Sequence, residues 1–152
     1  MSDPTIYLAG PVAAYDDGGR EWRDWVQDQF PDIEFKNPLA KYNVPLEELT
    51  ITATETARED AISVDRLVES DKRLLRESDA LLVGYSDVKS IGTPMEVMWA
   101  RERDYPVALW IRDDTDFEAL SPWYRHHVTA CTNDVTMAIG HLTGQLGGDD
   151  AE

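Results

Sequence analysis

The chain has 152 residues, which suits one domain, and its 30 acidic and 14 basic residues give a net charge of −16. Such a surface repels nucleic acids and anionic membranes, because binding either one depends on Lys and Arg neutralising phosphates. A single cysteine, Cys131, excludes an internal disulfide, and no apolar run approaches the ~20 residues of a membrane helix. The first ten residues lack the basic flank and apolar core of a signal peptide, so we expect a cytoplasmic protein.

The acidic residues are spread along the chain and do not form a tail. Five Trp, six Tyr and a hydrophobic content of 42% argue against disorder. We therefore expect a folded protein with an acidic coat, as in salt-loving organisms, where salt screens the repulsion between its charges. The alternative is an ordinary acidic cytosolic protein.

Strand and helix patterns alternate along the first half of the chain. The helices show apolar residues at every third or fourth position, and the strands are short apolar runs. The predicted elements are a strand at Thr5–Ala9, a helix at Glu21–Phe30, a weak strand at Ile33–Phe35 and a long helix at about Thr56–Ser78. Asp71 falls inside the apolar stripe of the long helix, where a carboxylate is unfavourable unless it is paired or used.

The second half continues the alternation. Ala80–Tyr85 and Pro106–Ile111 are unbroken apolar runs, which mark strands buried on both faces of a sheet. The other predicted elements are helices at Thr93–Arg103, Leu120–His127 and Met137–Leu146, and an edge strand within Val128–Val135. This order predicts one domain over 1–146, with a parallel sheet between helices, and a flexible acidic tail at 147–152.

Ligands of such sheets bind beyond the carboxyl ends of the strands, here at the loops 10–20, 86–92 and 112–121. The predicted helix at 93–103 begins with Thr93, which suits an N-cap. On one interpretation Glu96, three residues later, only completes a capping box. Alternatively, the helix dipole keeps Glu96 ionised where ligands bind, so that it can act as a nucleophile. Gly92 would let a ligand approach the backbone, and Ser90 with the loop amides could hold an anion.

Asp71 is the natural second carboxylate. Burial raises the pKa of a carboxyl group, which suits an acid that protonates a leaving group. One ionised and one protonated carboxyl group form the pair that cleaves glycosidic bonds. The alternative for Asp71 is a buried aspartate that pairs with an arginine or caps backbone N–H groups. Tyr7, in the first strand, is either a core residue or a hydrogen-bond partner that orients Glu96.

The sequence contains no Cys/His cluster and neither of the common glycine-rich nucleotide motifs, so we expect no metal or other cofactor. The ordered set of motifs resembles the nucleoside 2-deoxyribosyltransferase superfamily over roughly residues 5 to 125. The matching pieces are Ile6–Pro11, the inward Asp71, Ser78-Asp79 followed by the strand Ala80–Tyr85, and Gly92–Glu96.

This resemblance implies a flavodoxin-like three-layer α/β fold with a central parallel sheet of about five strands. It also implies a homodimer or larger assembly in which neighbouring protomers share active sites. By the same resemblance, Glu96 is the nucleophile that attacks C1′ of a 2-deoxyribose. Asp71 assists protonation of the base, and Tyr7 positions Glu96.

The residue at position 90 is similar to that found in one branch of the superfamily. Transferases of free nucleosides carry an Asp six residues before the nucleophile, whereas the 2′-deoxynucleoside 5′-phosphate N-hydrolases carry a serine, as here. An aspartate would repel a phosphate, which a hydroxyl and backbone amides can bind. Gly18–Glu21 is similar to the glycine-arginine loop of that branch, and Ser121 to a serine that reaches the partner's phosphate. The substrate-binding candidates are therefore Gly10, Arg20, Ser90, Gly92 and Ser121.

The resemblance implies hydrolysis of the N-glycosidic bond of a 2′-deoxynucleoside 5′-monophosphate through a sugar bound to Glu96. A retaining mechanism predicts that the carboxyl groups of Asp71 and Glu96 lie about 5–5.5 Å apart. Base exchange by a 2-deoxyribosyltransferase would use the same intermediate, so the sequence leaves the acceptor open. The non-enzymatic alternative is a nucleotide-binding sensor. The sequence does not identify the base.

Overall fold

A computed structural model describes residues 4–12, 19–40, 49–58 and 61–147 of the chain. The strands are β1 Thr5–Ala9, β2 Glu34–Lys36, β3 Thr50–Thr52, β4 Ala61–Ser63, β5 Ala80–Tyr85, β6 Val107–Ile111 and β7 Ala130–Thr132. The helices are α1 Arg20–Gln29, α2 Val64–Arg76, α3 Gly92–Glu102, α4 Pro122–His127 and α5 Val135–Gly147, with a 3-10 turn at Phe117–Ala119.

Five strands form one parallel sheet in the order β2-β1-β5-β6-β7. From β1 the chain moves outward to β2 on one side, and from β5 it moves outward to β6 and β7 on the other. The strand order therefore reverses between β1 and β5, and the crevice beyond their carboxyl ends is where such sheets bind ligands. The predicted three-layer α/β fold with a five-stranded parallel sheet is confirmed.

Alternate residues of the central strands face two separate cores, as expected for strands buried on both sides. On one face Tyr7 belongs to a core that includes Leu75 of α2 and Val97 of α3. On the other face Leu8 belongs to a core that includes Val26 of α1, together with residues of α5. The helices α2, α3 and α4 consequently cover the face on which the Tyr7 side chain lies.

The prediction of a long helix at 56–78 is wrong at its N-terminal end. The helix begins at Val64 because Ser63 is its N-cap, with Oγ accepting from the Arg66 N–H at 3.1 Å. Ala61–Ser63 is instead a strand that pairs in parallel with Thr50–Thr52 in a separate two-stranded sheet. Three residues are too few to show a strand periodicity, so the apolar Ile62 was assigned to the helical stripe.

The edge strand predicted within 128–135 is β7, which has three residues. It ends because Asp134 starts the next helix, its Oδ1 accepting from the Thr136 N–H at 2.9 Å. In the described part of the chain, no helix is long and apolar enough to cross a membrane. Residues 148–152 of the predicted tail lie outside the described residues, as do residues 13–18 of the predicted loop at 10–20.

The indole of Trp22, on α1, packs directly on two glycines at the carboxyl ends of β1 and β5. A Cβ added at Gly84 would lie 2.7 Å from Cη2 of Trp22, and one added at Gly10 would lie 2.8 Å from its Cζ2. Trp22 is 4% exposed, and its ring meets Trp110 edge to face with the centroids 6.1 Å apart. The absence of side chains at the two glycines thus brings α1 close over the crevice.

We predict that Gly84→Ala lowers the free energy of unfolding by about 1–3 kcal/mol, because the added methyl overlaps a buried ring. The matched control is Gly140→Ala, at an exposed position of α5 where an added Cβ meets nothing within 4 Å. In a helix Ala is more favourable than Gly by about 0.5–1 kcal/mol, so the control is expected to be stabilised. Denaturant unfolding measures both, and a Gly84→Ala variant as stable as the wild type would contradict this packing.

Candidate active site

The centre of the site is a hydrogen bond between two elements that are far apart in the sequence. The Tyr7 hydroxyl on β1 donates to Oε2 of Glu96 on α3 at 2.6 Å, across 89 positions of the chain. Tyr7 is fully buried and Glu96 is partly buried. Hydrogen bonds between a hydroxyl and a carboxylate at this distance are among the stronger ones in proteins. One carboxylate oxygen of Glu96 therefore has a fixed position.

The start of α3 explains why the Glu96 carboxylate can turn toward β1. The predicted capping box is wrong, because α3 begins at Gly92 and the residue in the N-cap position makes no side-chain capping hydrogen bond. Thr93 is instead buried in the first turn. The Ser90 hydroxyl donates to Oγ1 of Thr93 at 2.8 Å, and Ser90 Oγ accepts from the Thr93 N–H at 3.4 Å. Ser90 thus accepts from the Thr93 N–H, which in the predicted capping box would donate to Glu96.

Asp71 faces the same place from α2, where it is partly buried. Burial, followed by the charges of Glu96 and Asp71, raises the pKa of Tyr7 well above its ordinary value. Tyr7 therefore stays protonated at neutral pH and keeps its role as a donor. The structure brings these three predicted residues together from β1, α2 and α3.

A buried arginine that the sequence analysis missed lies beside them. Arg23 on α1 is 1% exposed. Burial lowers its pKa to about 10, while the charges of Glu96, Tyr7 and Asp71 act in the opposite direction. Arg23 is therefore protonated at neutral pH. Its signal in the sequence is its place three residues before Val26, on the face of α1 that becomes buried.

Two further tyrosines line the site. The rings of Tyr85, at the end of β5, and Tyr124, on α4, meet edge to face with centroids 5.5 Å apart. Burial, then Tyr85 and the charge of Glu96, raises the pKa of Tyr124 to about 12. Tyr124 thus presents a neutral phenol near the carboxylate. Sequence reasoning placed it only in a short helix, since a six-residue element shows no clear buried face.

The predicted binding residues have different local settings. Gly10 is buried beneath Trp22, and its carbonyl accepts a hydrogen bond from Arg23 at 3.0 Å. Arg20 is the first residue of α1. Gly92 is exposed, and a Cβ added there would meet nothing within 4 Å. Ser121 caps α4, with Oγ accepting from the Trp123 N–H at 3.2 Å.

Among the described residues, no group of three or more His, Cys, Asp or Glu side chains is placed to hold a metal ion. The site brings together four functional groups of its own. It has a fixed carboxylate, a second carboxyl group, a neutral phenol and a buried cation. Such a set can attack an electrophilic carbon and protonate a leaving group.

No protein-family profile matches the sequence, and no curated protein matches it. A solved 2-deoxyribosyltransferase from the psychrotolerant bacterium Bacillus psychrosaccharolyticus is similar, with a TM-score of 0.65 and 13% identity over 89% of this chain and 90% of its own. A conserved protein from Enterococcus faecalis V583 has a TM-score of 0.53 and 16% identity over 94% and 89% of the two chains. The chain shares the fold of a 2-deoxyribosyltransferase.

Proposed function

We propose that this protein hydrolyses the N-glycosidic bond of a 2′-deoxynucleoside 5′-monophosphate, giving free base and 2-deoxyribose 5-phosphate. The observation that carries the proposal is the 2.6 Å hydrogen bond from the buried Tyr7 to Glu96. It fixes a carboxylate beside the crevice between β1 and β5, where sheets of this kind bind ligands. The fold shared with a 2-deoxyribosyltransferase supports glycosyl transfer as the class of reaction.

In the first step an oxygen of Glu96 forms a bond to C1′ of the sugar while the bond from C1′ to the base nitrogen breaks. The electron pair of that bond goes to the base, which takes a proton from Asp71 directly or through a water. In the second step a water oxygen attacks C1′ and its proton passes to Asp71. Glu96 leaves as a carboxylate. Tyr7, held neutral by burial, keeps Glu96 oriented throughout.

The phosphate needs local donors, because the protein as a whole carries a charge of −16. We propose that Ser90 and the first backbone N–H groups of α3 bind it, at the positive end of the helix dipole. The open space at Gly92 lets an anion approach that backbone. Gly10, after β1, and Arg20, at the start of α1, supply further contacts to the substrate.

We propose that a second copy of the chain completes the site. The helices that carry Asp71, Glu96 and Tyr124 also expose large apolar side chains to solvent, which is typical of an interaction surface. These side chains are Val64, Val68, Met95, Met98 and Trp123. A partner that covers them lies beside the site, and its Ser121 can then reach the phosphate.

We predict that the purified protein releases base from deoxynucleoside monophosphates in high salt and that Glu96→Gln removes this activity. Asp71→Asn is expected to slow release by about 10²–10⁴-fold, the usual contribution of a general acid. Glu102→Gln is the matched control, since it changes the same charge at an exposed position of the same helix. The assay is base release from a panel of deoxy and ribo monophosphates and free nucleosides.

Base release that persists in Glu96→Gln would contradict the assignment of the nucleophile. Release from no member of the panel, even with an acceptor base added, would favour a nucleotide-binding sensor. A new nucleotide formed from an added base would show that the sugar is transferred.

We predict that Ser90→Asp shifts preference from monophosphates toward free nucleosides. The carboxylate repels the phosphate, and the ratio of the two kcat/KM values is expected to fall by at least about tenfold. The helix start survives, because an aspartate oxygen can accept from the Thr93 N–H as Ser90 Oγ does. Ser90→Thr keeps the hydroxyl and serves as the control. An unchanged ratio in Ser90→Asp would mean that position 90 does not contact the 5′ end of the substrate.

We predict a dimer in high salt that Met95→Glu converts to monomers. Met137→Glu is the matched control, because Met95 on α3 and Met137 on α5 are both 65% exposed, on helices that cover opposite faces of the sheet. Sedimentation velocity at micromolar concentration distinguishes the two. A wild type that is monomeric, or a dimer that only Met137→Glu dissociates, would contradict the proposed interface.

A further inference from the structure

Arg23 joins the end of β1 to the beginning of α1. Its guanidinium donates to the backbone carbonyls of Leu8 at 3.3 Å, Gly10 at 3.0 Å and Gly19 at 2.9 Å. The first two carbonyls flank the carboxyl end of β1, directly after Tyr7, and the third precedes α1. Gly19 has a φ of 80°, a left-handed conformation that favours glycine, and it aims its carbonyl at the arginine. Arg23 thus fixes the backbone at Gly10 and at Gly19.

A buried guanidinium is unfavourable unless it is fully hydrogen-bonded and its charge is balanced nearby. The three hydrogen bonds of Arg23 end on neutral carbonyls. The Trp22 ring, 4.7 Å from its guanidinium carbon, adds a cation–π contact. The opposite charge comes from Glu96 and Asp71, which favour the charged form of Arg23 through space. Arg23 and the Glu96 carboxylate therefore stabilise each other's charged forms, and Asp71 adds to this once it has given up its proton.

The charged and titratable groups around this centre come from every neighbouring element. Among the described residues, besides Arg23 on α1, they are Tyr7 on β1, Asp71 on α2, Tyr85 on β5, Glu96 on α3, Arg112 after β6 and Tyr124 on α4. Arg112 opposes the charge of Arg23, and the three tyrosines are neutral at physiological pH. Arg23 is the cation most directly coupled to the carboxylates, because it is the one that burial removes from water.

We propose that Arg23 is a positioning residue, which holds the backbone behind Tyr7 and keeps Glu96 in its carboxylate form. Since Arg23 is 1% exposed, it acts through these groups and does not touch substrate. Its effect on catalysis rests on the function proposed above. Its effect on the ionisation of Glu96 does not.

The experiment compares Arg23→Met, which removes the charge at similar length, with Arg23→Lys, which keeps the charge but loses the planar fork. Arg103→Met is the matched control, as it removes an exposed cation near the far end of α3. The protein is labelled with ¹³C at the glutamate carboxyl carbons and titrated by NMR. The Glu96 resonance is identified by its loss in Glu96→Gln. Base release is measured over the same pH range.

In Arg23→Met the loss of a neighbouring positive charge disfavours the carboxylate, so Glu96 is expected to take up its proton about one pH unit higher. Asp71 responds in the same direction, so both limbs of the pH profile of base release move upward. Arg23→Lys is expected to keep the wild-type titration of Glu96 but to lower kcat severalfold with little change in KM, because the backbone behind Tyr7 loosens. Arg103→Met is expected to leave both measurements unchanged.

A folded Arg23→Met variant with an unshifted Glu96 titration would overturn the proposal. If that variant does not fold, the Arg23→Lys variant decides. A wild-type kcat in Arg23→Lys would overturn the proposal, and so would a Glu96 titration shifted upward as expected for loss of the charge. If the wild type releases no base, the proposed function fails. The Glu96 titrations of the variants still decide whether Arg23 controls the carboxylate.

Discussion

The structure depends on a hydrogen bond between a phenol that is entirely out of water and a carboxylate that is partly buried. Burial alone would favour a neutral carboxyl group at Glu96. The hydrogen bond from Tyr7 and the field of Arg23 act against that tendency. In return, the carboxylates of Glu96 and Asp71 help to hold the buried arginine in its charged form. The site is therefore a mutually dependent set of charges, and removing any one of them unbalances the others.

The packing of Trp22 connects this electrostatic set to the backbone. Only glycine fits at positions 10 and 84, so α1 approaches the carboxyl ends of β1 and β5. That approach brings Arg23 within reach of the carbonyls at the end of β1. A glycine inside a buried strand weakens the strand itself. Here the loss is offset by a close contact that places a cation beside the proposed nucleophile.

The parts of the fold that followed from the sequence are those with long, unambiguous patterns. The apolar runs at 80–85 and 106–111 predicted buried strands, and the structure has them as the adjacent strands β5 and β6. The strands at 50–52 and 61–63 were missed, because three residues carry too little pattern to compete with a neighbouring helical stripe. The predicted N-cap at Thr93 was wrong because the Thr93 hydroxyl accepts a hydrogen bond from Ser90, which lies outside the capping-box motif.

The site residues also differ in how far the sequence predicted them. A pairing of Tyr7 with Glu96 across 89 positions follows from no local pattern. The residues alone left it as one of two alternatives for Tyr7, and the resemblance to a known superfamily favoured it. Arg23 was missed because a charged residue on an amphipathic helix is normally assigned to solvent. Its burial becomes visible only when Trp22 is seen to pack on Gly10 and Gly84, which is a tertiary constraint.

The central claim is that Glu96 forms a bond to the sugar. The most direct measurement is mass spectrometry of the intact protein, and of its peptides, after incubation with a deoxynucleoside monophosphate carrying fluorine at C2′, which slows release of the sugar from the enzyme. The account predicts an added mass equal to the fluorinated sugar phosphate, located on the peptide that contains Glu96, and none in Glu96→Gln. A protein that releases base from natural substrate but carries the sugar on another residue would contradict it.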